Sequence, residues 1–331
     1  GRVVEFANTK KNKAQQIKDI IKQKQMFPKE LFGELRTAFP VMIAGIRDYA
    51  EYVPLEKGLF DLIIIDEASQ VSIAQALPAF VRAKKVLVLG DKNQFSNVKT
   101  ERASKALNQT YKAQVLEQFR DEKNPDVAQL NQIKMFDIKT SVLEFVERIA
   151  NLRIMLRKHF RGYPELIGFS SKYFYGNHLQ AVKIRGIPID DVIKFHAIKD
   201  DGLIGLRAKT NEPEATAIVE ELTNLANSDH PPDCCVITPH NEQQKLILQK
   251  VMALPGGREI VEKLHLRVFT FDTCQGEERH TVFYSMVANP GSDRLNYIFP
   301  KDLDKSEDVE DNLRLQRLNV GFSRAKERIV I

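Results

Sequence analysis

Hydrophobic positions change their period several times along the chain. Between Thr9 and Pro28, Ala14, Ile17, Ile20 and Ile21 recur at helical spacing among Lys and Gln, which predicts an amphipathic helix closed by the proline. Phe60-Asp61-Leu62-Ile63-Ile64-Ile65 and Lys85-Val86-Leu87-Val88-Leu89 are short apolar runs without alternation. Such runs predict parallel strands buried on both faces. Ile73 to Arg82, between them, fits the crossover helix of a βαβ unit. Residues 100–138 are polar and irregular and read as an insertion or connector. Beyond them the α/β alternation resumes. A helix is expected near 141–150, apolar stretches at 152–156 and 192–196, and a further helix at 213–226. Strand-like runs follow at 235–238, 267–271, 281–287 and 328–331. Two α/β units joined near residue 138 are predicted.

The chain has 331 residues and is 43% hydrophobic, enough for a core in each of two domains. No window approaches the roughly 18 unbroken apolar residues of a membrane span. The start has neither Met nor an apolar signal-peptide region, so it is expected to be a position inside a larger protein. Cys234, Cys235 and Cys274 have neither a disulfide framework nor zinc-ligand spacing. They are expected to be small core residues, and the compartment a reducing cytoplasm. The net charge is +5, and residues 1–30 hold eight Lys/Arg against three acids, so the whole excess lies in that one segment. A solvated helix face accounts for it, and charge alone does not point to nucleic acid.

Candidate chemistry begins where the first strand ends, at Asp66-Glu67-Ala68-Ser69. Two adjacent carboxylates after a strand stand at the carboxyl edge of a sheet, where α/β proteins bind ligands. In a nucleotide hydrolase the Asp holds Mg²⁺ through its water shell and the Glu polarises the attacking water. As a helix-capping pair they need no ligand. The next strand ends in Gly90-Asp91-Lys92-Asn93-Gln94, where the amide of Gln94 can sense a terminal phosphate or the whole can be a surface turn.

The order strand–Asp-Glu, helix, strand–Gly-Asp-x-x-Gln resembles motifs II and III of superfamily 1 helicases. Further segments resemble later motifs in the family's order. Leu156-Arg157-Lys158-His159-Phe160-Arg161-Gly162-Tyr163-Pro164 is similar to motif IV. Val236-Ile237-Thr238-Pro239-His240, with Gln243, is similar to the segment that touches the nucleic-acid backbone. Thr270-Phe271-Asp272-Thr273-Cys274-Gln275-Gly276-Glu277-Glu278 resembles motif V, and Leu318-Asn319-Val320-Gly321-Phe322-Ser323-Arg324-Ala325-Lys326 resembles motif VI. The resemblance is strongest to the branch of the nonsense-mediated-decay helicase, which moves 5′ to 3′ on single strands.

The resemblance implies two RecA-like α/β domains of the P-loop NTPase type with mostly parallel sheets. The first, residues 1–138, is incomplete, and the second is residues 139–331. It implies an ATP-dependent helicase or translocase using ATP and Mg²⁺ on single-stranded or duplex DNA or RNA. Asp66, which takes the metal, Glu67, Gln94, Arg161 and Arg324 are the implied catalytic set, the two arginines as fingers on the phosphate. Asp91, Gln275, Gly276 and Glu278 are assigned to the nucleotide, the last to its ribose. Thr238, Pro239, His240 and Thr270 are assigned to the nucleic acid. Each arginine could instead be a surface ion pair.

The sequence departs from the pattern in having no Gly-x-x-x-x-Gly-Lys-[Ser/Thr]. The amides and lysine that cradle the β- and γ-phosphates are therefore expected in an upstream segment of the same protein, and residues 1–331 alone are expected to be inactive. Phe160 stands where relatives often carry Tyr, and Gly321-Phe322-Ser323 where they usually carry Ala-Leu-Thr. Two rival functions stay open: a non-catalytic module that grips nucleic acid or a partner, and the motor part of a larger nuclease-linked repair or defence protein.

Overall fold

The computed structural model describes residues 2–95, 105–120, 140–199, 209–288, 295, 299–300, 303 and 309–331. The chain forms two compact units. The first comprises Gly1–Lys92 and Ser96–Arg153, the second Asn93–Phe95 and Ile154–Ile331.

In the first unit α1 (Arg2–Thr9), α2 (Lys11–Gln23), α3 (Lys29–Ala38) and α4 (Ile46–Tyr52) gather around Phe6, Ile17, Ile20 and Phe32. The amphipathic helix foreseen after Thr9 is α2, although Ile21 faces solvent. β1 (Phe60–Ile65) pairs in parallel with β2 (Ala83–Val88), Ile63 opposite Val86. The crossover between them is α5 (Ile73–Arg82), opened by a capping box in which Ser72 and Gln75 satisfy each other's backbone amides. Its last residue, Arg82, is buried and donates to the carbonyls of Val53, Pro54 and Pro78, fixing the helix end to the chain before β1.

The expectation that β1 and β2 are covered on both faces does not hold. The sheet of the first unit has two strands among the described residues. α5 covers the face of Ile63 and Ile65, while Leu62 and Ile64 on the alternate positions stay 49% and 57% exposed. Of the expected insertion at 100–138, residues 105–120 form α6 (Lys105–Arg120), and the remainder lies outside the described residues. α7 (Val142–Ile149) packs against α5 and β2, and Val142 is fully buried there. That packing carries the division between the units to Arg153, beyond the expected 138.

The second unit opens with the two-residue β3 (Lys158–His159), α8 (Pro164–Phe174) and β4 (Gln180–Ala181), β3 pairing with β4. The apolar stretch 152–156 ahead of β3 is not a strand, and Leu152, Ile154 and Leu156 are more than 70% exposed. α9 (Ile189–Val192) leads into β5 (Ile193–Lys194), the edge strand of the main sheet. Then follow α10 (Glu212–Ala226), β6 (Cys234–Thr238), α11 (Asn241–Ala253), α12 (Gly257–Lys263), β7 (Arg267–Thr270), β8 (Arg279–Tyr284), α13 (Val309–Phe322) and β9 (Ala325–Val330).

The main sheet is parallel throughout, in the order β5-β9-β8-β6-β7. One core lies under α8 and α13 and another under α10, α11 and α12, so β6 is buried along its whole length. All three cysteines are fully buried, and desolvation pushes the thiols of Cys234 and Cys274 up to about 12. No helix among the described residues is long and apolar enough to cross a membrane.

Candidate functional site

The carboxyl end of β1 presents Asp66 and Glu67, both exposed. Glu67 has φ +50, a left-handed conformation uncommon for a residue with a side chain. Its amide donates to Asp66 Oδ1 at 2.9 Å, and its Oε2 accepts from Gln70 Nε2 at 3.1 Å. Gln70 therefore orients Glu67, a role the sequence did not single out. The turn is held because Ala68 N donates to Leu89 O at 2.9 Å. A Cβ on Gly90 would lie 3.3 Å from the amide nitrogens of Ala68 and Ser69, so a glycine lets the two strand ends approach. Asp91 is half-buried just beyond, and the neighbouring Lys92 is ion-paired with Glu147. A lone exposed carboxylate fits a hydrated Mg²⁺ that takes its remaining oxygens from water and phosphate. No group of three or more metal-ligating side chains is assembled among the described residues.

Gln94 is not carried by the unit that holds β2. Asn93–Phe95 belong to the second unit. Phe95 is buried in the core there, and Asn93 Nδ2 donates to Phe174 O at 2.7 Å. Asn319 on α13, itself buried, donates to Asn93 O at 2.8 Å and to the Tyr175 hydroxyl at 3.0 Å. Asn93 and Asn319 hold the backbone next to Gln94, and neither was assigned a role from sequence.

Arg161, Glu278 and Arg324 come together at the amino edge of the main sheet, where β8 and β9 begin with Arg279 opposite Ala325. Arg161 stands in the turn between β3 and α8, and its guanidinium pairs with Glu278. The other Glu278 oxygen accepts from Lys326 Nζ at 3.2 Å. Burial pushes the Glu278 carboxyl up, but Arg161 and Lys326 more than offset this and hold it below the usual range.

Arg324 lies where α13 ends and β9 begins, only 2% exposed. Its guanidinium donates to Val320 O at 2.6 Å, to Ser323 Oγ at 2.8 Å and to Glu277 O at 3.4 Å, with no carboxylate among these partners. Burial lowers its pKa, and the nearby Arg161 lowers it further. Arg161 Nη1 also reaches Ser323 O at 3.5 Å, so both arginines converge on Ser323. An open cavity of about 560 Å³ lies beside Arg161, lined by Lys158, His159, Phe160, Arg161, Glu278 and Lys326; Arg324 stays behind this lining. An ion pair is what Arg161 makes in this conformation, whereas Arg324 is buried and has no carboxylate partner among the described residues, so it is not a surface pair. Gln275 is half-buried and Gly276 turns at φ +78 in the loop before β8; neither lines the cavity.

The residues assigned to nucleic acid lie on the opposite edge. Thr238 and Thr270 end β6 and β7 and pair directly. They are separated from the arginine edge by a strand length of roughly 15 Å. Thr238 is fully buried, and its hydroxyl has no hydrogen-bond partner among the described residues. Thr270 is tied to Thr273 through its amide and its hydroxyl, at 3.0 and 3.1 Å. Pro239 and His240 follow β6 half-buried, and His240 stands at the N-cap of α11, though its side chain does not bond the helix's first amides. Gln243, read with this segment from sequence, does not face a strand. It is fully buried and bonds both backbone groups of Asn211 and the Ser285 hydroxyl.

A family model described as an AAA domain matches residues 138–331, and a second AAA-domain model matches residues 1–148. The chain is 28% identical over 329 residues to an uncharacterized ATP-dependent helicase of Mycoplasma genitalium, covering 94% of this chain and 26% of that protein. It is 24% identical over 339 residues to an uncharacterized ATP-dependent helicase of Methanocaldococcus jannaschii, covering 95% and 42%. It is 21% identical over 304 residues to the DNA replication ATP-dependent helicase/nuclease of Gallus gallus, covering 90% and 25%. The chain thus spans less than half the length of these curated relatives. Parallel sheets flanked by helices and AAA matches over both parts of the chain lead to one conclusion: this chain belongs to the AAA domain family and has its RecA-like, P-loop NTPase type of fold.

Proposed function

We propose that this chain is part of the motor of a superfamily 1 ATP-dependent helicase, of the branch resembling the nonsense-mediated-decay helicase. Residues 1–331 supply the metal and water carboxylates and the arginine side of the ATP site, and the P-loop comes from elsewhere in the same protein. What carries the proposal is the convergence of Arg161 and Arg324 on Ser323, the latter buried with no carboxylate partner among the described residues. Keeping an uncompensated cation buried is costly unless an anion arrives to meet it. The γ-phosphate of ATP is that anion, and its charge in the transition state is what guanidinium groups stabilise.

Asp66 would hold Mg²⁺ through its water shell, and the ion, when bound, would supply charge neutralisation of the phosphate oxygens. Glu67, oriented by Gln70, polarises the attacking water. Gln94 senses the terminal phosphate, Asp91, Gln275 and Gly276 assist on the nucleotide, and Glu278 exchanges Arg161 for the ribose hydroxyl. Thr238, Pro239, His240 and Thr270 hold the nucleic-acid backbone at the other edge, so the second unit links the two ligands through one rigid sheet. The relative named as a helicase/nuclease raises the nuclease-linked alternative. Among the described residues no metal-ligating cluster supports a second active site.

Glu67→Gln in the full-length protein is the direct test. It removes the charge that activates water and keeps the shape, so ATP-dependent phosphate release should vanish while ATP and single-strand binding persist. Turnover at the wild-type rate would remove Glu67 from the mechanism.

A further inference from the structure

Arg161 stands in the turn that follows β3, and one side-chain contact holds that turn. Gly162 N donates to His159 Nε2 at 3.1 Å. An imidazole nitrogen accepts only when it carries no proton, so this geometry exists only with the neutral ring in one tautomer. His159 is half-buried, and its own carbonyl is tied to β4 through Val182 N at 2.9 Å. The ring therefore has a fixed base from which to hold the following turn.

We propose that His159 is the positioning residue for Arg161: its unprotonated ring holds the Gly162 amide and so aims the guanidinium, and protonating the ring releases it. The inference rests on the role of Arg161 given above.

The charged groups around the ring are those of the cavity: Lys158, Arg161 and Lys326 on one side of the balance and Glu278 on the other. β4 brings no titratable side chain, and Lys183 beyond it is paired with Glu327 at 2.8 Å. Burial and the Arg161 charge both disfavour the imidazolium, against a weaker pull from Glu278, so the ring titrates below the usual histidine value of 6.5. The turn is thus intact at neutral pH and opens on acidification. Protonation also turns an acceptor into a donor facing the Gly162 amide, so the contact becomes repulsive and the effect is larger than the loss of one bond.

The test compares three forms of the full-length protein. In the wild type, kcat for strand-stimulated ATP hydrolysis should fall on the acid side with a single-proton slope and a midpoint below 6.5. His159→Gln offers an acceptor that does not titrate. It should restore kcat to within about threefold of wild type at pH 8 and abolish that acid limb. His159→Ala, lacking an acceptor, should lower kcat by about 10²-fold at every pH, with KM little changed, as a misaimed catalytic group does. In parallel, protein labelled with ¹⁵N-glycine and ring-¹³C histidine should show the Gly162 amide shifting with the midpoint of the His159 ring.

An acid limb that persists unchanged in His159→Gln overturns the proposal. So does a Gly162 amide that ignores the His159 titration. If the wild-type protein hydrolyses no ATP at any pH, the motor assignment fails, and the amide titration alone still decides whether His159 holds the turn.

Discussion

Arg324 is the residue at which the proposed function and a purely structural role give the most separate outcomes. Its guanidinium donates to two carbonyls and one hydroxyl and is almost inaccessible. Arg324→Ala deletes those bonds and leaves the Val320 and Glu277 carbonyls and the Ser323 hydroxyl to find other partners. Bonds from a charged donor contribute about 1.5–3 kcal/mol each, offset by the cost of burying the cation. A net loss of about 3 kcal/mol follows, which lowers Tm by about 6–12 °C for a unit of this size.

Catalysis should suffer on a different scale. An arginine finger contributes about 10³-fold or more to kcat, equivalent to about 4 kcal/mol of transition-state stabilisation. Arg324→Lys keeps a charge but has no planar fork, so it cannot serve Val320, Ser323 and a phosphate together, and it should recover little of kcat. The assay is steady-state phosphate release by the full-length protein with saturating single strand, beside nucleotide affinity from a fluorescent analogue and a thermal melt. Nucleotide affinity should change much less than kcat, because the contact strengthens mainly in the transition state. A folded Arg324→Ala protein with kcat within about twofold of wild type would refute the finger assignment and the buried-cation argument together.

Three further outcomes follow from particular contacts. Gly321→Ala drives a Cβ into the Phe271 ring, so it should cost about 1–3 kcal/mol in a urea melt, and adding Phe271→Leu should recover part of it. Thr238→Val removes a buried hydroxyl that makes no bond among the described residues, so stability should hold or rise by about 1 kcal/mol while single-strand affinity falls; unchanged affinity would take Thr238 out of the strand site. Burial holds the Glu214 carboxyl above the usual glutamate value of 4.5 even though it accepts from Val287 N at 3.1 Å. A carboxyl raised in the fold gives stability below 4.5 that is lost as pH rises through its folded value, so Glu214→Gln should flatten the fall in unfolding free energy above pH 4.5.

The sequence by itself determined the elements whose cause is local. Ile73 to Arg82 is a helix because its capping box, apolar period and flanking β-branched runs agree, and α5 has those bounds. The parallel pairing of β1 with β2 follows from the same stretch, since a single helix crossover allows no other direction. The motif order along the chain singled out Asp66, Glu67, Arg161, Glu278 and Arg324, while the meeting of the last three on one edge is a finding of the structure.

What the tertiary structure decided depends on partners far away in sequence. Leu62 and Ile64 read as buried from their apolar run, yet burial is set by what lies over a face, and nothing among the described residues covers theirs. Gln243 reads as a polar contact residue, but Asn211 and Ser285, 32 and 42 positions away, turn it inward. Gln94 follows β2 in sequence and yet the backbone next to it is held by Asn319, because a buried hydrogen bond to Asn93 and the insertion of Phe95 into a core outweigh chain proximity. The separation of the arginine edge from the Thr238–Thr270 edge is equally invisible in a linear chain. Residues 278 and 324 share an edge because they directly precede β8 and β9, Arg161 joins them from the turn after β3 through its pairing with Glu278, and residues 238 and 270 share the other because they end β6 and β7.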